Sequence, residues 1–132
     1  MKPQAVLPEG WPRPKGYANG VVAQGRTLFI AGMIGWDAEG RFHTDDFVGQ
    51  VRQALDNVAQ VLKAAGGRGD NIVRMTWYVT DKREYLAASR EIGAAFREMH
   101  HRHLGSADQQ TLVMAGREVE RMMGDDDLHD VV

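Results

Sequence analysis

Apolar and polar residues alternate along this chain with two periods, and the switches between them mark the elements. Residues 27–30 (Thr-Leu-Phe-Ile) are β-branched, aromatic and apolar, which predicts a buried strand. The strand runs on into Ala31-Gly32-Met33-Ile34-Gly35-Trp36. Upstream, Tyr17-Ala18-Asn19-Gly20 is a turn sequence, residues 21–23 a short strand and Gln24-Gly25-Arg26 a tight connection, so a hairpin is expected. Downstream, Asp37-Ala38-Glu39-Gly40 is a second polar turn. The period then becomes helical. Thr44 reads as a cap, with Asp45 and Asp46 in the first turn, where the helix dipole favours acids. Phe47, Val51, Leu55, Val58 and Leu62 define one buried face, while Gln50, Arg52, Gln53, Asp56 and Gln60 fall largely on the other side. Gly66-Gly67 stops the helix just after Lys63.

Residues 72–79 (IVRMTWYV) return to period two. Val73, Met75, Trp77 and Val79 share one face, and Arg74, Thr76 and Tyr78 the other. Asp81 caps a second helix, with Glu84 in capping-box position. Its apolar stripe is Tyr85, Ala88, Ile92, Ala95, Phe96 and Met99, and it ends around residues 100–103. Strands interleaved with amphipathic helices predict one sheet with both helices packed on one face. Residues 1–16 hold all four prolines, so they read as an irregular arm, with Trp11 packed onto the body. Residues 104–132 fit less well: Leu112, Ala115, Val119 and Met122 suggest a third helix, but residues 111–114 read equally as a strand.

Length changes the picture little: 132 residues make one domain. A formal net charge of -2 leaves no electrostatic footprint for nucleic acid. The absence of cysteine excludes disulfides and thiolate chemistry. No run of about 18 apolar residues and no apolar leader occur, so no membrane partner is expected and the protein reads as cytoplasmic.

Candidate chemistry is sparse. Gly32 and Gly35 would let a backbone or small ligand approach closely, making residues 31–36 a candidate pocket wall beside Trp36. Taken alone the stretch favours the plainer reading of a core strand and a turn. His100-His101-Arg102-His103 lacks the usual helical metal spacing and a third ligand, and cations suit a helix C-terminus anyway. Asp125-Asp126-Asp127 lacks the alternation of a calcium loop. Gly66-Gly67-Arg68-Gly69 follows a helix, whereas a phosphate cradle precedes one. No metal and no cofactor are therefore expected. Neither a nucleophile-elbow nor a Walker sequence occurs, and Ser89 and Ser106 have no evident base beside them.

Four stretches carry a resemblance: Gly16-Tyr17-Ala18-Asn19-Gly20-Val21, Leu28-Phe29-Ile30-Ala31-Gly32, Gln53-Ala54-Leu55-Asp56-Asn57-Val58 and Thr76-Trp77-Tyr78-Val79-Thr80-Asp81. In order and spacing they resemble the RidA/YjgF reactive-intermediate (enamine/imine) deaminases, above all the branch with 2-aminomuconate deaminase. The likeness covers residues 16–103 of a single domain, with 1–16 as arm and 104–132 as a divergent C-terminal segment. It implies an α+β, chorismate-mutase-like fold: a mixed sheet with two helices on one face. It implies a homotrimer with ligand clefts between subunits. It also implies cofactor-free hydrolysis of small carboxylated imines or enamines, such as 2-aminoacrylate or 2-aminomuconate, to a carbonyl compound and ammonia. The alternative it leaves open is a non-catalytic module of the same fold that binds metabolites or protein surfaces.

Carried over by position, the family's pocket tyrosine falls on Tyr17. The small residue and glycine after the second strand fall on Ala31 and Gly32, where many members have serine for Ala31. A helix asparagine of the family falls on Ser89. Tyr17 reads equally as a turn aromatic, and Ser89 as a solvent-facing helix residue. Beyond His103 the family continues with Pro-Ala, a strand that often carries a carboxylate-binding arginine, and a last strand rich in Glu-Ile-Glu-Ala. This chain reads Leu104-Gly105-Ser106-Ala107-Asp108-Gln109-Gln110-Thr111 there, and Arg117 is the nearest arginine. The groups that act on the water are not assigned by the sequence.

Overall fold

A computed structural model describes residues 2–102. The described chain is α+β: one antiparallel two-stranded sheet and three helices. It divides into two compact units. One comprises residues 2–26 and Asp70–Thr80, the other Thr27–Gly69 and residues 81–102.

In the first unit, β1 (Gln4–Val6) pairs with β2 (Gly20–Val22), with Ala5 opposite Val21 and Val6 opposite Gly20. The arm read as irregular thus contains a strand. Pro3 and Pro8 flank the three paired residues, and proline's missing N–H keeps such a strand short and at an edge. The expected hairpin of residues 21–23 with 27–30 is not seen: β2 pairs with the arm, and residues 27–30 are assigned no strand. Strand propensity favours a pleated backbone but specifies neither partner nor register. Trp11, expected on the body, is exposed. Its backbone N–H closes a turn onto the Pro8 carbonyl. Residues 72–79 are assigned no strand, yet their burial alternates as predicted. Val79 is buried and Met75 and Trp77 half-buried, while Arg74, Thr76 and Tyr78 are exposed. Val73 departs from the pattern and is exposed.

The second unit is built on α1 (Phe47–Ala64), α2 (Lys82–Ala87) and α3 (Ser89–Arg102). Helix α1 begins two residues later than the sequence suggests. Asp46, not Thr44, is its N-cap: the carboxylate accepts the Gly49 N–H at 2.7 Å, and Thr44 Oγ1 accepts the Asp46 N–H at 3.0 Å. Its end is a Schellman motif. Gly66 takes φ +79°, its N–H reaches the Lys63 carbonyl, and the Gly67 N–H reaches the Leu62 carbonyl. Gly67 packs closely on Leu62: a Cβ there would lie 2.5 Å from Leu62 Cδ1, so the leucine side chain would have to shift. The second predicted helix is interrupted at Ala88. Asp81 caps α2 by accepting the Arg83 N–H, and α3 restarts at Ser89.

Most of both predicted stripes is buried, with Tyr85 and Ala88 of the second only half-buried. Val51, Leu55, Ala59 and Leu62 of α1 and Ile92, Ala95, Phe96 and Met99 of α3 form the core of this unit. Ala59 is inside where the pattern places Val58, and Val58 and Phe47 are half-buried. The two helices pack on each other. Arg52 and Glu98 close the seam with an ion pair between partly exposed side chains. Such a pair adds at most about 1 kcal/mol.

Residues 27–30 depart most from expectation. They are assigned no strand, and Phe29 is 90% exposed. Leu28 is exposed as well, and Ile30 is half-buried. The predicted third helix and residues 104–132 lie outside the described residues.

Candidate functional site

The segment after residues 27–30 is held against α1 by polar side chains of the helix itself. Gln50, Gln53 and Asn57 recur three and four residues apart, so they share one face. The Asn57 side-chain amide donates to two main-chain carbonyls, Ile34 at 3.0 Å and Trp36 at 2.7 Å. Its own oxygen accepts from Gln53 Nε2 at 3.0 Å. Gln50 Nε2 donates to the Thr44 carbonyl at 3.1 Å. Gln50 and Gln53, read as lying on the side opposite the apolar stripe, together with Asn57 form a fastening for residues 34–44. The stretch Gln53-Ala54-Leu55-Asp56-Asn57-Val58 contains two of these residues. Their 3–4 spacing beside the apolar stripe is the signal the sequence offers.

Between the two carbonyls held by Asn57, Gly35 is buried against the helix, and a Cβ there would lie 2.7 Å from Gln50 Cβ. This is the close approach anticipated for a glycine of this segment. Gly32 is different. A Cβ there would meet nothing within 4 Å, so it fronts open space.

Beyond Trp36 the chain reverses as predicted. The Gly40 N–H closes onto the Asp37 carbonyl at 3.0 Å, Gly40 takes φ +77°, and Trp36 bridges to Phe42 with ring centroids 6.0 Å apart. The Asp37 carboxylate organises this turn. It accepts the Arg41 and Glu39 N–H groups at 2.9 Å and Arg41 Nε at 3.2 Å, and lies 2.6 Å from His43 Nε2. The Arg41 N–H is the largest cause holding Asp37 far below the usual carboxylate range, with His43 and Glu39 adding and partial desolvation opposing.

The residues carried over from the resemblance fall in both units. Tyr17 is half-buried in the first unit, just after Gly16 at φ +78°. Ala31 and Gly32 are exposed in the second unit. Ser89 is the exposed first residue of α3 in that unit. Arg117 lies outside the described residues, as do His103 and the acidic residues 125–127. No group of three His, Cys, Asp or Glu suited to a metal occurs among the described residues. No helix among them is long and apolar enough to cross a membrane.

The family model described as Endoribonuclease L-PSP matches residues 12–121, past the point at which the motif resemblance stops. A RutC family protein of Pyrococcus horikoshii is 31% identical over 72% of this chain and 76% of its own length. A 2-iminobutanoate/2-iminopropanoate deaminase of Capra hircus is 34% identical over 55% of this chain and 53% of its own. The crystal structure of a Rid-family protein of unknown function from Yersinia pestis superposes with a TM-score of 0.61 at 34% identity. That likeness covers 74% of this chain and 77% of that one. With 12–121 matched by the family model and these relatives across most of the same span, the chain belongs to the Endoribonuclease L-PSP family, the RidA/YjgF proteins that include imine deaminases.

Proposed function

We propose that this protein hydrolyses small 2-imino or 2-enamino carboxylates, of the 2-aminoacrylate or 2-aminomuconate kind, to the 2-oxo acid and ammonia. The observation that carries the reading is the family match over residues 12–121, with imine deaminases among the relatives at about one-third identity. In the reaction, an enamine first takes a proton on its β-carbon and loses one from nitrogen to give the imine; water then adds to the C=N carbon as the π pair moves to nitrogen. The resulting carbinolamine then loses ammonia as the C=O forms. Such chemistry needs a pocket of low polarity, a group on the carboxylate and a positioned water, and no thiol. Open backbone at Gly32, steadied by the fastened residues 34–36, is a suitable wall. Ala31 and Gly32 would line it; by the resemblance Tyr17, Ser89 and Arg117 are further substrate-binding candidates, Arg117 for the carboxylate.

To this reading belong a chorismate-mutase-like fold and a homotrimer acting in the cytoplasm, with the Tyr17 cleft at a subunit boundary. Exposed Leu28, Phe29, Ile34 and Trp36, all within nine residues of one another, support cover by another copy, since exposed apolar surface is costly in water. Two experiments test it. An imine generated in situ by an amino acid oxidase should disappear faster with the protein than without, with oxo acid and ammonia formed in equal amounts. No acceleration at any protein concentration rejects the activity. Sedimentation should give a trimer at micromolar concentration, and Phe29→Asp should dissociate it. A clean monomer of the unaltered chain rejects the assembly.

A further inference from the structure

We propose that Asn57 is the positioning residue of this site: its side-chain amide sets the path of residues 31–36 by holding two of their carbonyls at once. The catalytic part of this inference rests on the deaminase reading above.

The hydrogen-bond chemistry fixes the orientation of the amide. Carbonyl oxygens only accept, so the group facing Ile34 and Trp36 is the NH₂, which has two protons for two acceptors. The oxygen left over faces Gln53 Nε2, a donor. Every polar atom of the Asn57 side chain is thus used, and reversing the amide would set oxygen against two oxygens and NH₂ against NH₂. No other side chain type of this size supplies two donors and one acceptor in one plane. Serine has one donor, and aspartate has none when ionised.

What Asn57 holds is specific. Its two acceptors flank Gly35, the residue pressed against Gln50 with no room for a Cβ. The segment is therefore pinned on both sides of its closest approach to α1. The pinned residues follow directly on Ala31 and the open backbone of Gly32, with Met33 alone between Gly32 and Ile34. A wall that must keep a reacting carbon in place needs such support, because misplacement by about 1 Å can cost on the order of a hundredfold in rate.

The test uses the full chain with Trp11→Phe and Trp77→Phe, which leaves Trp36 as the only indole. Asn57→Asp is then added, an isosteric change that removes the NH₂ and faces two carbonyls with a carboxylate. At pH 7 the Trp36 emission should shift and amide exchange across residues 30–36 should speed up. The catalytic kcat/KM should fall on the order of tenfold to a hundredfold. Two carbonyl oxygens disfavour the ionised form, against the single Gln53 donor that favours it, so the introduced acid is expected to titrate above its ordinary value of about 3.9. Lowering the pH to about 5 should then restore one donor, and with it part of the emission and the rate, whereas Asn57→Ser should show no such pH-dependent recovery. Gln53→Leu, which removes the donor to Asn57 Oδ1, should act in the same direction more weakly, and it carries the same readouts if Asn57→Asp does not fold. Unchanged Trp36 emission and exchange in the folded variant would overturn the inference, as would altered emission with undiminished kcat/KM. If the unaltered chain hydrolyses no imine, the deaminase reading fails, and emission and exchange alone decide the role of Asn57.

Discussion

Gly35 meets Gln50 of α1 so closely that a Cβ at position 35 would lie 2.7 Å from Gln50 Cβ and 2.8 Å from Gln50 Cα. The obstacle includes helix backbone, which cannot swing aside. Gly35→Ala must therefore push residues 34–36 off the helix and strain the Asn57 bonds, and overpacking of this kind costs about 1–3 kcal/mol. Gly32→Ala is the control, since a Cβ there meets nothing within 4 Å. It should leave stability within about 0.5 kcal/mol of the unaltered protein. If the deaminase reading holds, it should still lower activity by crowding the pocket wall. Denaturant midpoints on the two variants, with imine hydrolysis measured in parallel, check both expectations.

Asp37 gives the turn at residues 36–42 a pH dependence with a definite sign. Its carboxyl is held below the ordinary value, first by the Arg41 N–H, so the folded turn binds the proton less readily than the unfolded chain. The stabilisation is fully present above the unfolded value of about 3.9 and is lost as pH falls from there towards the folded value. Trp36 emission should report this loss in acid below about pH 4. Asp37→Asn should remove that acid transition and leave the turn less ordered at neutral pH, because the neutral amide accepts the Arg41 and Glu39 N–H groups more weakly.

The core of the helical unit centres on Phe96 and Ile92, at 2% and 1% exposure. Phe96→Ala leaves a cavity between α3 and α1, and such truncations cost about 3–5 kcal/mol. Against a total stability of about 5–15 kcal/mol this is a large share. Thermal unfolding should show a marked drop in midpoint, while Leu86→Ala, at an exposed position of α2, should change it little.

The helices are legible in the sequence because their signals are local. The stripe Val51, Leu55, Leu62 and the stripe Ile92, Phe96, Met99 each lie within one segment, and caps and glycines at their ends act on neighbouring residues. Sheet pairing is not local, and there the sequence pattern misleads. Residues 27–30 have strand composition but no strand partner in their unit among the described residues, whereas Gln4–Val6, between prolines, pairs with Gly20–Val22. The site divides in the same way. Glycine at 35 signals a close approach, but only the fold shows that Gln50 is what approaches. Asn57 is visible as part of a motif, while its two acceptors are 21 and 23 residues away in sequence.

The carboxylate of the substrate poses the sharpest test of the functional reading. A carboxylate in a pocket of low polarity needs a charge-assisted partner, and the planar arginine fork offers two parallel donors. That role is proposed for Arg117, the nearest arginine to the place where the family carries one. Arg117→Ala should then cost about 2–4 kcal/mol of transition-state stabilisation, by analogy with a lost oxyanion donor. That corresponds to roughly a hundred- to thousandfold in kcat/KM, at about tenfold for each 1.36 kcal/mol. Arg117→Lys should recover only part of it, because a point charge keeps the attraction but loses the bidentate geometry. The comparison is made on the full chain with the imine generated in situ. Unchanged kcat/KM in Arg117→Ala would move the carboxylate partner to another cation, with Arg74, Arg13 and Lys82 the next to substitute.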